Sequence, residues 1–291
     1  MSERKLLILG FGYSAGASAR LVAGEAAITG TVRSAEKAAT LSTGVAALVF
    51  DGTRPESAVA AAIAAATDIL VSVPPGGESD AAIARHRADI VAAPQLQWIG
   101  YLSSIGVYGN YGGAWVSERT TPHPPEGRAT ARLAAEKAWQ KLAVERNVPL
   151  ARLRIAGIYG PGRNAFVQLA GGGARRIVKP GQVFNRIHVA DIAAVVAAAF
   201  RERAAGIFNL GDDEPSPGHE PIEYAARLMG VAPPPEVAFG DAGLSPMAKS
   251  FYDGNRRVVN RRIQEELGVA LRYPTYRDGL DALWREGTWR G

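Results

Sequence analysis

The stretch Leu6-Leu7-Ile8-Leu9-Gly10-Phe11-Gly12-Tyr13-Ser14-Ala15-Gly16 sets the tightest limit on what this chain can fold into. Its four successive apolar residues read as a strand buried on both faces, the pattern of a parallel sheet. Glycines follow at once, and then a small-residue run from Ala15 to Ala23 reads as a helix. The spacing Gly10-x-Gly12-x-x-Ala15 has the G-x-G-x-x-G/A form of a dinucleotide-binding turn. In that form Gly10 permits the tight turn, Gly12 removes a side chain where a pyrophosphate approaches the backbone, and Ala15 lets helix and strand pack closely. The helix start at Tyr13, Ser14 and Ala15 then offers unpaired N–H donors and a positive partial charge to the phosphates. A glycine pattern alone is a weak signal, but here a strand precedes it and a helix follows it.

Composition narrows the alternatives. The chain has 291 residues, 47% hydrophobic and 21% charged, the balance of an ordinary globular protein with length for a sizeable core. Cysteine is absent, which excludes disulfides and thiol chemistry. The four histidines, His86, His123, His188 and His219, have no ligand spacing, so no metal site is expected. The net charge of +5 does not come with a ribbon of interleaved basic and aromatic residues, so no nucleic-acid partner is expected. The pairs Arg256-Arg257 and Arg261-Arg262 read as a solvated helix face. No apolar run reaches the length of a membrane span, and a cytoplasmic location is expected.

Along the first half, strands and helices alternate. Ala26–Val32 reads as a second strand. In a dinucleotide-binding sheet its end meets the adenosine ribose, where an acid would select NAD. Residues 30–34 hold no acid and offer Arg33 and Ser34. An arginine holds a 2′-phosphate bidentately, so the sequence predicts NADP over NAD. A third strand, Val45–Phe50, leads to Asp51, whose carboxylate either accepts from the adenine amino group or caps the helix starting near Pro55. The fourth strand, Asp68–Val73, brings Ser72, Val73 and Pro74 to the cofactor side, since ligands bind outside the carboxyl ends of parallel strands. A helix over Ser79–Ala93, a strand over Gln97–Leu102, a long helix over Arg128–Arg146 and a strand over Val148–Ile155 complete the alternation. Ser103 and Ser104 follow the fifth strand, where a substrate carbonyl would sit.

The second half predicts strands at Val183–Val189 and Gly206–Leu210, with a helix at Asp191–Arg201 that Asp191 caps. Gly171-Gly172-Gly173 reads as a surface segment, since it lacks the Lys-Ser/Thr ending of a phosphate loop. Beyond Gly211 the chain is Pro-rich, with helices at Ile222–Met229, Asn260–Leu267 and Arg277–Trp284. The expected fold is α/β: a doubly wound parallel sheet, Rossmann-like, with a smaller C-terminal substrate domain. The first unit takes residues 1–160 and about 183–210, and the cap takes 161–182 and 211–291.

These landmarks resemble the extended short-chain dehydrogenase/reductase family, the group of nucleotide-sugar epimerases and dehydratases. The resemblance rests on Gly10-Phe11-Gly12, Ser103-Ser104-x-x-Val107-Tyr108-Gly109, Arg154 with Tyr159-Gly160-Pro161-Gly162-Arg163, Ile187-His188-Val189-x-Asp191, Phe208-Asn209-Leu210-Gly211-Asp212-Asp213 and Glu266-Leu267-Gly268. It implies a nicotinamide cofactor, with Ser104 as the substrate-binding serine, Ser103 beside it and Gly157 near the carboxamide. It also implies pairing of the Ser79–Ala93 and Arg128–Arg146 helices in a homodimer, through Ala82, Ile83, Leu133 and Trp139, unless these face only the sheet.

Three departures stand out. The fingerprint is G-x-G-x-x-A rather than G-x-x-G-x-x-G. The family's catalytic Tyr-x-x-x-Lys is missing, and Arg128 and Arg132 occupy its two positions. Arginine cannot exchange a proton near neutral pH, because its pKa exceeds about 12. Arg132 is then left to hold ribose hydroxyls. Tyr108 is the substitute proton donor unless it simply packs beneath its loop, and Tyr111 is a further candidate. Phe184 stands where relatives carry a phosphate-binding arginine, with Arg186 nearby as its replacement. The reading is an NADP(H)-binding oxidoreductase acting on a carbonyl or hydroxyl, a sugar nucleotide being the substrate that the resemblance implies. The alternative is a catalytically silent NADP(H)-binding sensor or scaffold.

Overall fold

The computed structural model describes residues 4–41, 44–76 and 79–291. Strand β1 (Arg4–Leu9) shows why four apolar residues run together: Leu6 and Ile8 enter one core layer, and Leu7 and Leu9 enter the other. It lies inside a seven-stranded, wholly parallel sheet with β2 (Ala26–Val32), β3 (Val45–Val49), β4 (Asp68–Val71), β5 (Trp98–Ser104) and β6 (Leu150–Ile155). A small separate ladder pairs β7 (Gly157–Tyr159) with β8 (Arg186–His188), and β9 (Gly206–Leu210) closes the main sheet. The order is β9-β6-β5-β4-β1-β2-β3. The chain moves outward from β1 to β3 and then returns to the other side of β1 at β4. That reversal opens a crevice at the carboxyl ends of β1 and β4.

Helices cover both faces. On one face α1 (Tyr13–Val22) supplies Ala15, Ala19 and Val22. The short α2 (Ala35–Ala39) follows β2. On the other face α3 (Ser57–Ala65), α4 (Ala81–Ala92) and α5 (Arg128–Arg146) bury Val59, Ile63, Ile90, Trp139 and Leu142. Helix α6 (Ala165–Ala170) belongs to the C-terminal part, and α7 (Val189–Arg201) packs beside α1. The remaining helices are α8 (Glu220–Met229), α9 (Pro246–Ser250), α10 (Arg261–Glu265) and α11 (Tyr276–Arg285). A third apolar cluster gathers Tyr159, Phe166, Ile222, Tyr276, Leu280 and Trp289 from these late segments.

The bounds of β2, α5 and β9 match the sequence reading, and several other elements differ for local reasons. Helix α4 starts at Ala81 because Asp80 takes the N-cap, its carboxylate accepting from the Ile83 N–H at 3.1 Å. The strand expected over Val183–Val189 shrinks to β8, because the Val183 N–H donates to the Asn255 side chain and Phe184 bridges to Ser216. Asp191 does not cap α7. His188 does so, its Nδ1 accepting from the Ala190 N–H. Asp191 is buried and accepts from the backbone N–H groups of Arg272 at 2.7 Å and Tyr273 at 3.2 Å, pinning the C-terminal segment. Ala82 and Trp139 are fully buried within the chain, so of the four residues named for pairing only Ile83 and Leu133 keep exposed surface.

Asp212 follows β9 and is buried, with its Oδ2 unpartnered. Burial pushes its pKa up to about 8; Arg186 opposes the shift and Asp213 adds to it. A carboxyl that titrates higher in the folded chain than in the unfolded one favours folding while protonated. That contribution is complete below about pH 4 and is lost as the pH rises through 8. Thermal denaturation of Asp212→Asn should therefore show a flatter decline between pH 5 and pH 9 than the parent, with the variant the more stable at pH 9.

Candidate active-site crevice

The glycine turn sits at the reversal point. Gly10 has φ +92°, and a Cβ there would lie 2.8 Å from the Val73 backbone nitrogen. Only glycine lets the end of β1 approach the end of β4 so closely. Thr31 at the end of β2 ties the turn down: its hydroxyl accepts from the Gly10 N–H at 2.8 Å, and its carbonyl accepts from the Phe11 N–H at 2.7 Å. Gly12 is the N-cap of α1 and brings no capping side chain, and the first turn carries no acid. Tyr13 and Ser14 line the crevice, and their N–H groups have no partner within the chain, as a pyrophosphate requires.

Arg33, Ser34 and Asp51 stand farther out along the same edge, beyond the lining of the crevice. Arg33 is exposed directly after β2. The Ser34 hydroxyl caps α2 through the Lys37 N–H. Asp51 is exposed, and its carboxylate accepts from the backbone and side chain of Thr53 at 2.8 and 2.7 Å. These bonds hold its pKa below the usual range. It closes a local turn; Glu56 holds the N-cap position of α3.

The crevice measures about 800 Å³ and brings together Tyr13, Ser14, Ser72, Pro74, Ser103, Ser104, Arg132 and Gly157. The Ser104 Oγ accepts from the Gly106 N–H at 3.0 Å, which leaves its own O–H to donate into the crevice. Ser103 differs. It is buried and donates to Glu136 at 2.5 Å, so it offers a ligand only lone pairs. Glu136 also accepts from Arg154 Nε at 3.0 Å and Nη2 at 2.7 Å, forming a buried bidentate pair beneath the floor. Arg132 donates to the Leu102 carbonyl at 3.1 Å, which sets its guanidinium over the end of β5. The titratable groups of the lining are Tyr13, Glu126, Asp253 and four arginines, Arg128, Arg132, Arg163 and Arg256. No lysine or histidine lines the crevice among the described residues.

Three expectations are corrected. Tyr108 is fully buried and absent from the crevice lining; its hydroxyl donates to Asn209 at 2.8 Å, and Arg154 lies over its ring. Burial raises its pKa, and its place is a packing position away from the crevice lining. Arg186 turns away from the crevice and spends its donors on Ser216 and the carbonyls of Phe184 and Pro217. Arg256 enters instead. The pair Arg256-Arg257 is not a helix face: Arg257 belongs to a two-residue strand with Trp115-Val116, and the Arg256 side chain reaches the crevice. Nothing local in the sequence signals this, because the partner of Arg256 is the Gly109 carbonyl, 147 positions away. The buried Glu136 was likewise visible only as part of an alanine-rich helix.

No protein-family model matches the chain. A curated relative, a 3-diazoavenalumate denitrifying reductase from a Streptomyces species, is 30% identical over 169 residues, 54% of this chain and 53% of that protein. The chain thus spans about half the length of the curated relative it matches. Among solved structures, a conserved protein of unknown function from Silicibacter pomeroyi DSS is 44% identical, with TM-score 0.89 over 97% of this chain and 99% of its own. A protein assigned as an NAD-dependent epimerase/dehydratase from Methylobacillus flagellatus is 26% identical, with TM-score 0.71 over 98% and 99%. MoeE5, in complex with UDP-glucose and NAD, is 19% identical, with TM-score 0.79 over 97% and 99%, and shares the fold.

The burial of Tyr108 makes a direct prediction. Tyr108→Phe should leave nicotinamide-cofactor affinity unchanged and lower unfolding stability by about 1 kcal/mol, the worth of one buried hydrogen bond. Chemical denaturation beside a fluorescence titration checks both.

Proposed function

We propose that this member of the extended short-chain dehydrogenase/reductase family, of the epimerase/dehydratase-like type, is an NADP(H)-dependent oxidoreductase acting on a carbonyl or hydroxyl carbon. The observation that carries the reading is the meeting of Tyr13 and Ser14, at the end of the glycine turn, with Ser104 and Arg132 in one crevice at the point where the strand order reverses. The residues fit the cofactor: a glycine-only turn, a helix start with free N–H groups and no acid, and an arginine at the end of β2. When bound, the nicotinamide supplies or takes up the hydride. Helix α1 holds the pyrophosphate, Arg33 the 2′-phosphate and Arg132 the ribose hydroxyls. Ser104 donates to the substrate oxygen and orients it. Arg128 and Arg132 supply fixed positive charge where an oxyanion develops, and the proton itself comes from water.

The missing Tyr-x-x-x-Lys favours a second reading, a silent NADP(H) sensor. Consumption of NADPH with a carbonyl substrate separates the two. The cofactor preference is the first test. NADPH should bind at least about tenfold more tightly than NADH, and Arg33→Ala should abolish that difference while leaving NADH affinity in place, because a bidentate arginine–phosphate contact is worth more than about 1.4 kcal/mol. Equal affinities in the parent chain would overturn the assignment of Arg33.

A further inference from the structure

Arg256 is a cation with no carboxylate. Its Nη1 donates to the Gly109 carbonyl at 2.8 Å, its Nε is buried without a partner, and no ion pair includes it among the described residues. Burial pulls its pKa down to about 10, and Tyr108 opposes the shift. The Gly109 turn that holds it admits only glycine: Gly109 has φ +77°, and a Cβ there would collide with the His123 carbonyl. A half-buried guanidinium fixed at the edge of a crevice without a counter-charge is an anion site awaiting its anion.

The segments that bring Arg256 to the crevice also supply an apolar share of its lining, Val183, Phe184, Pro246, Met247 and Phe251, beside the polar Asn185, Ser250 and Asp253. Met247 and Phe251 are 64% and 60% exposed, large apolar side chains held open to the crevice rather than packed in a core. The polar side chains of this wall are largely spent within the chain. Asn185 donates to the Arg256 carbonyl at 2.9 Å and accepts from the Val258 N–H at 2.8 Å. Ser250 donates to the Met247 carbonyl at 2.7 Å. The charged groups left to meet a ligand along this lining are Asp253, Arg256 and Arg128, whose guanidinium lies 6.0 Å from the Phe251 ring centroid. A sugar with its ring of hydroxyls, or a base with its donors and acceptors, would find few partners here.

Resting on the oxidoreductase reading above, we propose that the substrate is an amphiphilic organic carboxylate and not a sugar nucleotide. Its aromatic or apolar body lies against Phe184, Met247 and Phe251. Its carboxylate pairs with Arg256, and its reacting carbon is turned towards Ser104 and the nicotinamide side of the crevice. Arg256 is thus a specificity-determining residue.

Calorimetric titrations test this, using benzoate, trans-cinnamate, 2-naphthoate, cinnamamide and UDP-glucose on protein with and without NADP⁺. At least one of the aromatic carboxylates should bind, and cinnamate should bind at least about tenfold more tightly than its neutral amide and more tightly than UDP-glucose. Arg256→Met should reduce cinnamate binding to the level of cinnamamide, and Arg256→Lys should restore part of it; thermal denaturation confirms that both variants are folded. Absence of binding by all three carboxylates, equal affinity for acid and amide, or tighter binding of UDP-glucose would overturn the proposal. Parallel NADPH titration keeps the two readings apart. Cinnamate binding without NADPH binding upholds the anion site and removes the cofactor assignment. NADPH binding without any carboxylate binding does the reverse.

Discussion

The buried pair between Glu136 and Arg154 fixes the geometry on which the crevice depends. Both side chains are almost fully removed from water, and they join α5 to β6 while Ser103 of β5 completes the contact. Burying two charges costs several kcal/mol in desolvation, so such a pair is weak evidence for stability. Its effect is positional. Losing either partner would strand a charge in the interior, so α5 cannot slide or rotate against the sheet without a large penalty. Arg132 and Arg128 lie one and two helical turns before Glu136, on the same face. Anchoring Glu136 beneath Ser103 therefore sets both arginines at the crevice, where they line its wall. The helix delivers cations to the positions where the family resemblance implies a phenol and an amine.

What the sequence disclosed was local. The double-sided burial of Leu6–Leu9, the glycine turn and the ends of α5 all rest on neighbours a few positions apart. Helix α5 follows Gly127 at φ +89° and ends at Asn147 in the left-handed region at φ +51°, and both are signals that a short window contains. The crevice residues drawn from strand ends, Ser72, Ser103 and Ser104, followed from the same logic, because a parallel sheet dictates which end of each strand faces ligand.

What remained hidden was the destination of long side chains. Arg186 and Arg256 look interchangeable as letters. One is consumed by carbonyls of the segment around Ser216, and the other faces the crevice. Tyr108 and Asp191 mislead for the same reason: their partners, Asn209 and the Arg272–Tyr273 backbone, come from about 80 to 100 positions away. A polar residue's role is set by which distant backbone group reaches it first, and periodicity carries no record of that.

The chain's basic character has a physical meaning that composition alone misplaced. Several arginines elsewhere are matched with acids: Arg4 and Arg203 with Asp68, Arg201 with Glu25, Arg176 with Glu223 and Glu236. Among the described residues, none of Arg128, Arg132, Arg163 and Arg256 has an ion-pair partner, and all four line the crevice against only Glu126 and Asp253. Four arginines without an acid partner thus share one cleft. A cleft with low-dielectric walls focuses that charge and raises the local concentration of anions. On the two proposals above, a dinucleotide along the glycine turn and an anionic substrate against Arg256 would share it, and the four arginines would offset their mutual repulsion.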